Sequence, residues 1–126
     1  MQRENLGRPD PLGEKTLGFA IRIVKLSRYL MEQKKEYVLS KQILRSGTNP
    51  GAMVREAKNA ESGLDFIHKL SIALKETSET QYWLELLAQS GFLNENEFNS
   101  LFADSTEISK LLKSSILTKK QKLIPK

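Results

Sequence analysis

Ser62-Gly-Leu-Asp-Phe-Ile-His-Lys-Leu-Ser-Ile-Ala-Leu-Lys-Glu-Thr-Ser-Glu-Thr-Gln-Tyr-Trp-Leu-Glu-Leu-Leu-Ala-Gln-Ser-Gly91 reads as one long amphipathic helix. Ser62 followed three positions later by Asp65 resembles a capping box: the serine oxygen accepts from a first-turn amide that has no helical partner. Phe66, Ile67, Leu70, Ala73, Leu74, Thr77, Leu84, Leu87 and Ala88 then recur at helical spacing and define a core face. Gly91 ends the run, because glycine adopts the left-handed conformation that closes many helices.

Working outward, Asn94 and Glu97 repeat the cap signature for a fourth helix, expected to end near Leu117. Upstream, a helix is expected from about Tyr37 to about Ala60. Pro50, beside Gly47 and Gly51, should kink or break it, since proline removes a backbone donor and crowds the preceding turn. Asp10-Pro11 supplies a cap and a first-turn proline for the first helix, whose apolar pattern runs from Leu17 to Met31; Glu32 to Glu36 forms the connection. There is no sustained apolar/polar alternation and no Asn-Gly or Asp-Gly hairpin turn. The expected fold is all-α: an antiparallel up-and-down four-helix bundle over residues 13–117, with an N-terminal arm at 1–12 and a basic flexible tail at 118–126.

A chain of 126 residues can bury a core without staples. Zero cysteines and one histidine exclude disulfides, thiol nucleophiles and cysteine-ligated zinc. No apolar run reaches the ~20 residues that span a bilayer, and the first fifteen residues lack a secretory apolar region, so a cytoplasmic protein with no membrane partner is expected.

The net charge of +5 conceals a segregated pattern. Residues 1–61 hold 12 basic and 7 acidic residues; residues 62–109 hold two lysines against eight acids; residues 110–126 hold six lysines and no acid. Such polarity fits either a basic surface for an acidic partner or oppositely charged helices lying side by side in one bundle.

At 100° per residue, the apolar side chains of helix one (Leu17, Phe19, Ala20, Ile21, Ile23, Val24, Leu26, Leu30 and Met31) cover about 220°. A core needs only somewhat more than about 100°, so the excess implies burial against something else, most simply another copy. On helix three, Ile72, Glu76, Glu79, Trp83 and Leu86 form a second stripe away from the core face. Helix two carries Lys41, Arg45 and Arg55 on one side. Arg45 or Arg55 is therefore expected to pair with Glu76 or Glu79 in an interface that also buries Ile72 and Trp83; the competing reading is a set of exposed charges.

Catalytic patterns are missing. Glu76 and Glu79 lack the Glu-x-x-His context of di-iron bundles, His68 stands alone, and no glycine-rich phosphate loop follows a strand. No enzyme activity, cofactor, metal or small-molecule substrate is expected. For nucleic acid, the candidate contacts are Lys15, Arg22 and Lys25 on the polar side of helix one, with Lys119, Lys120 and Lys122 in the tail. Few, scattered aromatics argue against base stacking and leave non-specific backbone contact to RNA or DNA.

Leu39-Ser-Lys-Gln-Ile-Leu-Arg-Ser-Gly-Thr48, Val54-Arg-Glu-Ala57, Ala60-Glu-Ser62, Asp65-Phe-Ile67, Ile72-Ala-Leu-Lys-Glu76, Glu79-Thr80 and Tyr82-Trp-Leu84 together resemble the bacterial four-helix-bundle proteins also called 23S rRNA-intervening-sequence proteins. The resemblance covers roughly residues 15–117. It implies a four-helix bundle assembled as a ring-like homopentamer, without enzymatic activity. Some relatives are encoded within intervening sequences of large-subunit ribosomal RNA genes. A more distant relative, the accessory protein of diversity-generating retroelements, implies association with nucleic acid. The chain departs from the family pattern at Asn49-Pro-Gly-Ala-Met53, where relatives commonly carry Ser-Ile-Gly-Ala-Asn; the polar side chain at position 53 is replaced by an apolar one. The expected function is a homo-oligomeric binding or scaffold bundle, with non-specific nucleic-acid binding as the alternative.

Overall fold

The structure is a computed structural model and describes residues 9–125. Four helices follow one another: α1 (Pro11–Lys34), α2 (Leu39–Ala57), α3 (Gly63–Gln89) and α4 (Glu95–Leu123). Each packs against the next, and α4 returns to α1, while helices across the diagonal do not approach backbone to backbone. This is the up-and-down four-helix bundle that the periodicity predicts. The α1–α4 seam is the least extensive of the four.

The helix ends follow local chemistry. The Asp10 carboxylate accepts from the Gly13 amide, Ser62 Oγ from the Asp65 amide and Asn94 Oδ1 from the Glu97 amide, each satisfying a first-turn donor. At the end of α3, Gly91 has φ +83°. Its amide donates to Ala88 O (3.2 Å) and the Phe92 amide to Leu87 O (2.9 Å), the two bonds of a Schellman closure. In the linear sequence Glu36 is simply the last residue of a polar connection. Its carboxylate instead accepts from the amides of Val38, Leu39 and Ser40 and thereby caps α2. Burial pushes the Glu36 pKa up, but the three amide bonds together outweigh it and hold the group below its ordinary value.

The core runs along the bundle axis through Phe19, Ile23 and Leu30 of α1, Ile43 and Val54 of α2, Leu70, Leu84 and Leu87 of α3, and Leu101, Ile108 and Leu112 of α4. The apolar replacement at position 53 fits this arrangement, since Met53 packs against the core.

Three sequence expectations change. Pro50 does not break α2 into two elements: one helix runs from Leu39 to Ala57 with Pro50 buried inside it. Its packed position holds both halves in place, and tertiary packing supplies most helical stability in proteins. The neighbouring glycines serve contact with α1. A Cβ at Gly47 would lie 2.8 Å from both Ile23 Cγ1 and Cγ2, and one at Gly51 would lie 3.5 Å from the Thr16 carbonyl oxygen.

The second change is at the end of α4, which continues six residues beyond Leu117, to Leu123, so most of the segment read as a flexible tail is helix. Tertiary contacts explain the extension: the Lys119 ammonium sits 5.0 Å from the Phe66 ring centroid, and the Leu123 side chain lies against Gly63. The third change is at the other terminus: Asp10 caps α1 and Pro11 opens it, as the local sequence predicts, so the end of the arm moves back from residue 12 to residue 10; residues 1–8 lie outside the described residues.

Candidate functional site

Helix α2 presents Arg45 toward α3. Its Nη1 donates to Glu76 Oε2 at 2.8 Å, and its Nη2 meets Glu79 Oε2. Trp83 Nε1 donates to the same Glu79 oxygen at 3.0 Å. One guanidinium and one indole therefore converge on two carboxylates set one helical turn apart. Glu76 is 8% exposed, an allowed burial for a carboxylate only because it is paired. Beneath it, Ser46 and Thr80 share a buried hydroxyl contact of 3.0 Å.

Of the predicted pairing residues, the structure thus brings Arg45, Glu76, Glu79 and Trp83 together, with Ile72 half-buried on the same helix. Arg55 does not join them. It is exposed and makes no ion pair among the described residues, though its charge helps to stabilise the Asp10 carboxylate. The pairing closes within one chain along the α2–α3 seam, with the Arg45 side chain still 52% exposed.

The basic candidates divide differently from expectation. Lys15 binds Glu107 at 2.6 Å, and this hydrogen bond raises the lysine's pKa. Arg22 binds Asp104 at 2.7 Å and approaches Glu97 at 3.5 Å. What was read as the polar side of helix one is thus partly the α1–α4 seam, with two of its three cations engaged by α4 acids. Lys25 remains exposed without an ion pair among the described residues. Lys119 covers the Phe66 ring, while Lys120 and Lys122 are exposed in the last turns of α4. Sequence reading missed Glu97, Asp104 and Glu107 as partners. The acid-rich middle of the chain was their only signal, and it fits the side-by-side reading of the charge segregation.

A further ion pair joins Lys58 to Asp10, linking the end of α2 to the start of α1. The Lys58 hydrogen bond, opposed by burial and aided by the Gly13 amide, holds the Asp10 carboxyl below its ordinary value. No group of three or more histidine, cysteine or acidic residues is arranged to hold a metal among the described residues. His68 is exposed. No helix among them is long and apolar enough to cross a membrane.

The fold and its ion-paired seams define the class as an all-α, up-and-down four-helix bundle. The family model of the 23S rRNA-intervening sequence protein matches residues 12–114, and the chain belongs to that family. The chain is also similar to a crystal structure from Bacteroides thetaiotaomicron, described as a protein with unknown function from the S23 ribosomal protein family. The two share 54% identity over 83% of this chain and 94% of the other, with a TM-score of 0.82. Comparison with curated proteins finds no significant match.

Proposed function

We propose that this chain works as a non-enzymatic, homo-oligomeric helical bundle, a binding or scaffold module that assembles through the outer face of α1. One observation carries this reading. Leu17, Ile21 and Val24, at helical spacing on the side of α1 facing away from the core, are 53%, 48% and 36% exposed. Full burial of such a side chain is worth about 1.5–3 kcal/mol, so at these exposures each forfeits on the order of 1 kcal/mol. Beside them, a groove between α1 and α2 is lined in part by small residues, Gly13, Ala20, Gly51 and Ala52, with Arg55 and Lys58 also along it.

The outer side of α3 carries a different patch, with Tyr82 57% exposed and in edge contact with the half-buried Trp83. Two unlike patches on one chain favour head-to-tail contacts, and such contacts close into rings when the rotation allows. The number five rests on the family resemblance. Sedimentation velocity at micromolar concentration tests the reading: a species several times 14.3 kDa is expected for the native chain, with dissociation on Ile21→Glu. A native 14.3 kDa monomer overturns it.

The end of α4 favours a second reading. Lys110, Lys113, Lys120 and Lys122 are exposed there, on a segment with no acid. Non-specific contact with a nucleic-acid backbone would use this end of the bundle and Lys25, rather than Lys15 and Arg22. Affinity for mixed-sequence RNA should then fall by orders of magnitude between ~50 and ~200 mM salt. It should also fall on Lys120→Glu with Lys122→Glu. Absence of binding at low salt removes this reading and leaves the first intact.

A further inference from the structure

A cleft of about 470 Å³ opens at the narrow α1–α4 seam, on a flank of α1 centred about 120° from the Leu17–Ile21–Val24 stripe, with Lys25 one turn beyond Ile21. Its size is in the range of small-molecule sites. Leu26 and Leu93, both nearly buried, form an apolar floor with Phe92, while Tyr29, 42% exposed, stands at the edge. The wall opposite α1 is fixed before any ligand arrives. Phe92 is held by its amide bond to Leu87 O at 2.9 Å, and Asn94 by its cap on the Glu97 amide at 2.8 Å. A preformed wall lowers the ordering cost of binding.

The rim is charged unequally. Arg22 and Glu97 both line the cleft, but they face each other at 3.5 Å and Arg22 is also bound to Asp104. Lys25 lines it with no ion pair among the described residues. Lys34 lies beyond, its ammonium 5.9 Å from the Tyr29 ring centroid. The mouth therefore offers one ammonium group without an ion pair among the described residues, that of Lys25, beside two aromatic rings over an aliphatic floor.

We infer that this cleft binds a small aromatic carboxylate, its ring on Leu26, Phe92 and Tyr29 and its carboxylate toward Lys25. The flat faces of Tyr29 and Phe92 suit a ring, which packs offset or edge-on against them. The Lys25 ammonium selects the anionic form. Glu97, the acid of the rim, weakens the site, and its neutralisation strengthens it.

Calorimetric titration of the whole protein with naphthalene-2-carboxylate and with the neutral alcohol 2-naphthylmethanol tests the inference. One saturable site per chain is expected, with the carboxylate bound more tightly by about fivefold, the scale of a solvent-exposed charge pair. Lys25→Glu should abolish that preference without altering binding of the alcohol. Tyr29→Ala should weaken both ligands, and Glu97→Gln should increase the preference for the carboxylate. All three positions are on the surface, so the variants are expected to fold, and unchanged circular dichroism checks this. Binding must survive Leu17→Glu, which puts a charge into the proposed assembly face two turns away from Lys25 and so separates the cleft from that face. No saturable binding, equal affinity for the two ligands, or loss on Leu17→Glu with no effect of Tyr29→Ala overturns the inference.

Discussion

Arg22 on α1 reaches Asp104 on α4, Nη1 to Oδ2 at 2.7 Å, across the least extensive seam of the bundle. With Lys15–Glu107 two helical turns away on α1, this pair draws the basic first helix onto the acidic part of the chain. Both side chains of the Arg22–Asp104 pair are about one-third exposed, at 32% and 31%, so the pair should contribute about 0.5–1 kcal/mol rather than the several of a buried one. A double-mutant cycle with Arg22→Ala and Asp104→Ala, read by urea denaturation, should return coupling of that size, shrinking at high salt. Zero coupling at low salt would show that the contact adds nothing to the seam.

The α2–α3 cluster should be costlier to disturb. Arg45→Ala leaves Glu76 and Glu79 facing each other one turn apart, with Glu76 nearly buried. The guanidinium's own 52% exposure discounts the cost from the ~3–5 kcal/mol of a fully buried pair to about 1–3 kcal/mol. Arg45→Ala with Glu79→Ala should recover part of this loss, because one stranded carboxylate is gone. Non-interacting losses, each simply adding, would reject the pairing.

Close packing of α2 on α1 makes Gly47 sensitive. An added Cβ would meet both branches of Ile23, which is fully buried and β-branched and so has little freedom to turn away. Gly47→Ala should therefore destabilise by about 1–3 kcal/mol, despite alanine's better helix propensity. Gly18→Ala, with nothing within 4 Å of the added Cβ, should instead stabilise by up to about 1 kcal/mol. Thermal melts of the two variants should move in opposite directions.

Two carboxyl groups link stability to acid. The folded-state pKa values of Asp10 and Glu36 lie below their ordinary values of 3.8 and 4.5. Each contributes stability that is present above the ordinary carboxylate range and is lost as pH falls through the depressed folded-state value. Asp10→Asn retains a cap-competent side chain but removes the charge facing Lys58. It should lower the melting temperature at neutral pH, and the difference from the native chain should narrow below about pH 4. A difference independent of pH would show that the carboxylate's charge does not carry the effect.

Most of the fold was legible because its determinants are local. The Ser62 and Asn94 caps, the Gly91 closure and the 3.6-residue spacing of Leu70, Ala73, Leu84 and Leu87 act within one or two turns of chain. Linear order therefore suffices to place four helices and their core faces. The pairing of Arg45 with Glu76 or Glu79 was legible for a related reason: both stripes lie off the core faces of helices adjacent in sequence.

The rest depended on how far each helix is rotated about its axis and where it meets its neighbours. Arg45 and Arg55 share a side of α2, yet only Arg45 lies at the height of the α3 carboxylates. Lys15 and Arg22 look like solvated cations in the linear chain, and became seam residues because α4 lies on their flank of α1. Pro50 should interrupt a helix by its own chemistry, but burial between neighbours holds the helix through it. Lys119 and Leu123 have weak helical signals after Leu117, and the last turns of α4 form where Phe66 and Gly63 receive them. Sequence alone determined that there are four helices and which of their faces are apolar, since those follow from neighbours a few residues apart. Only the tertiary structure decided which charges meet and which remain free, because that depends on side chains separated by 13 to 92 residues arriving at the same place.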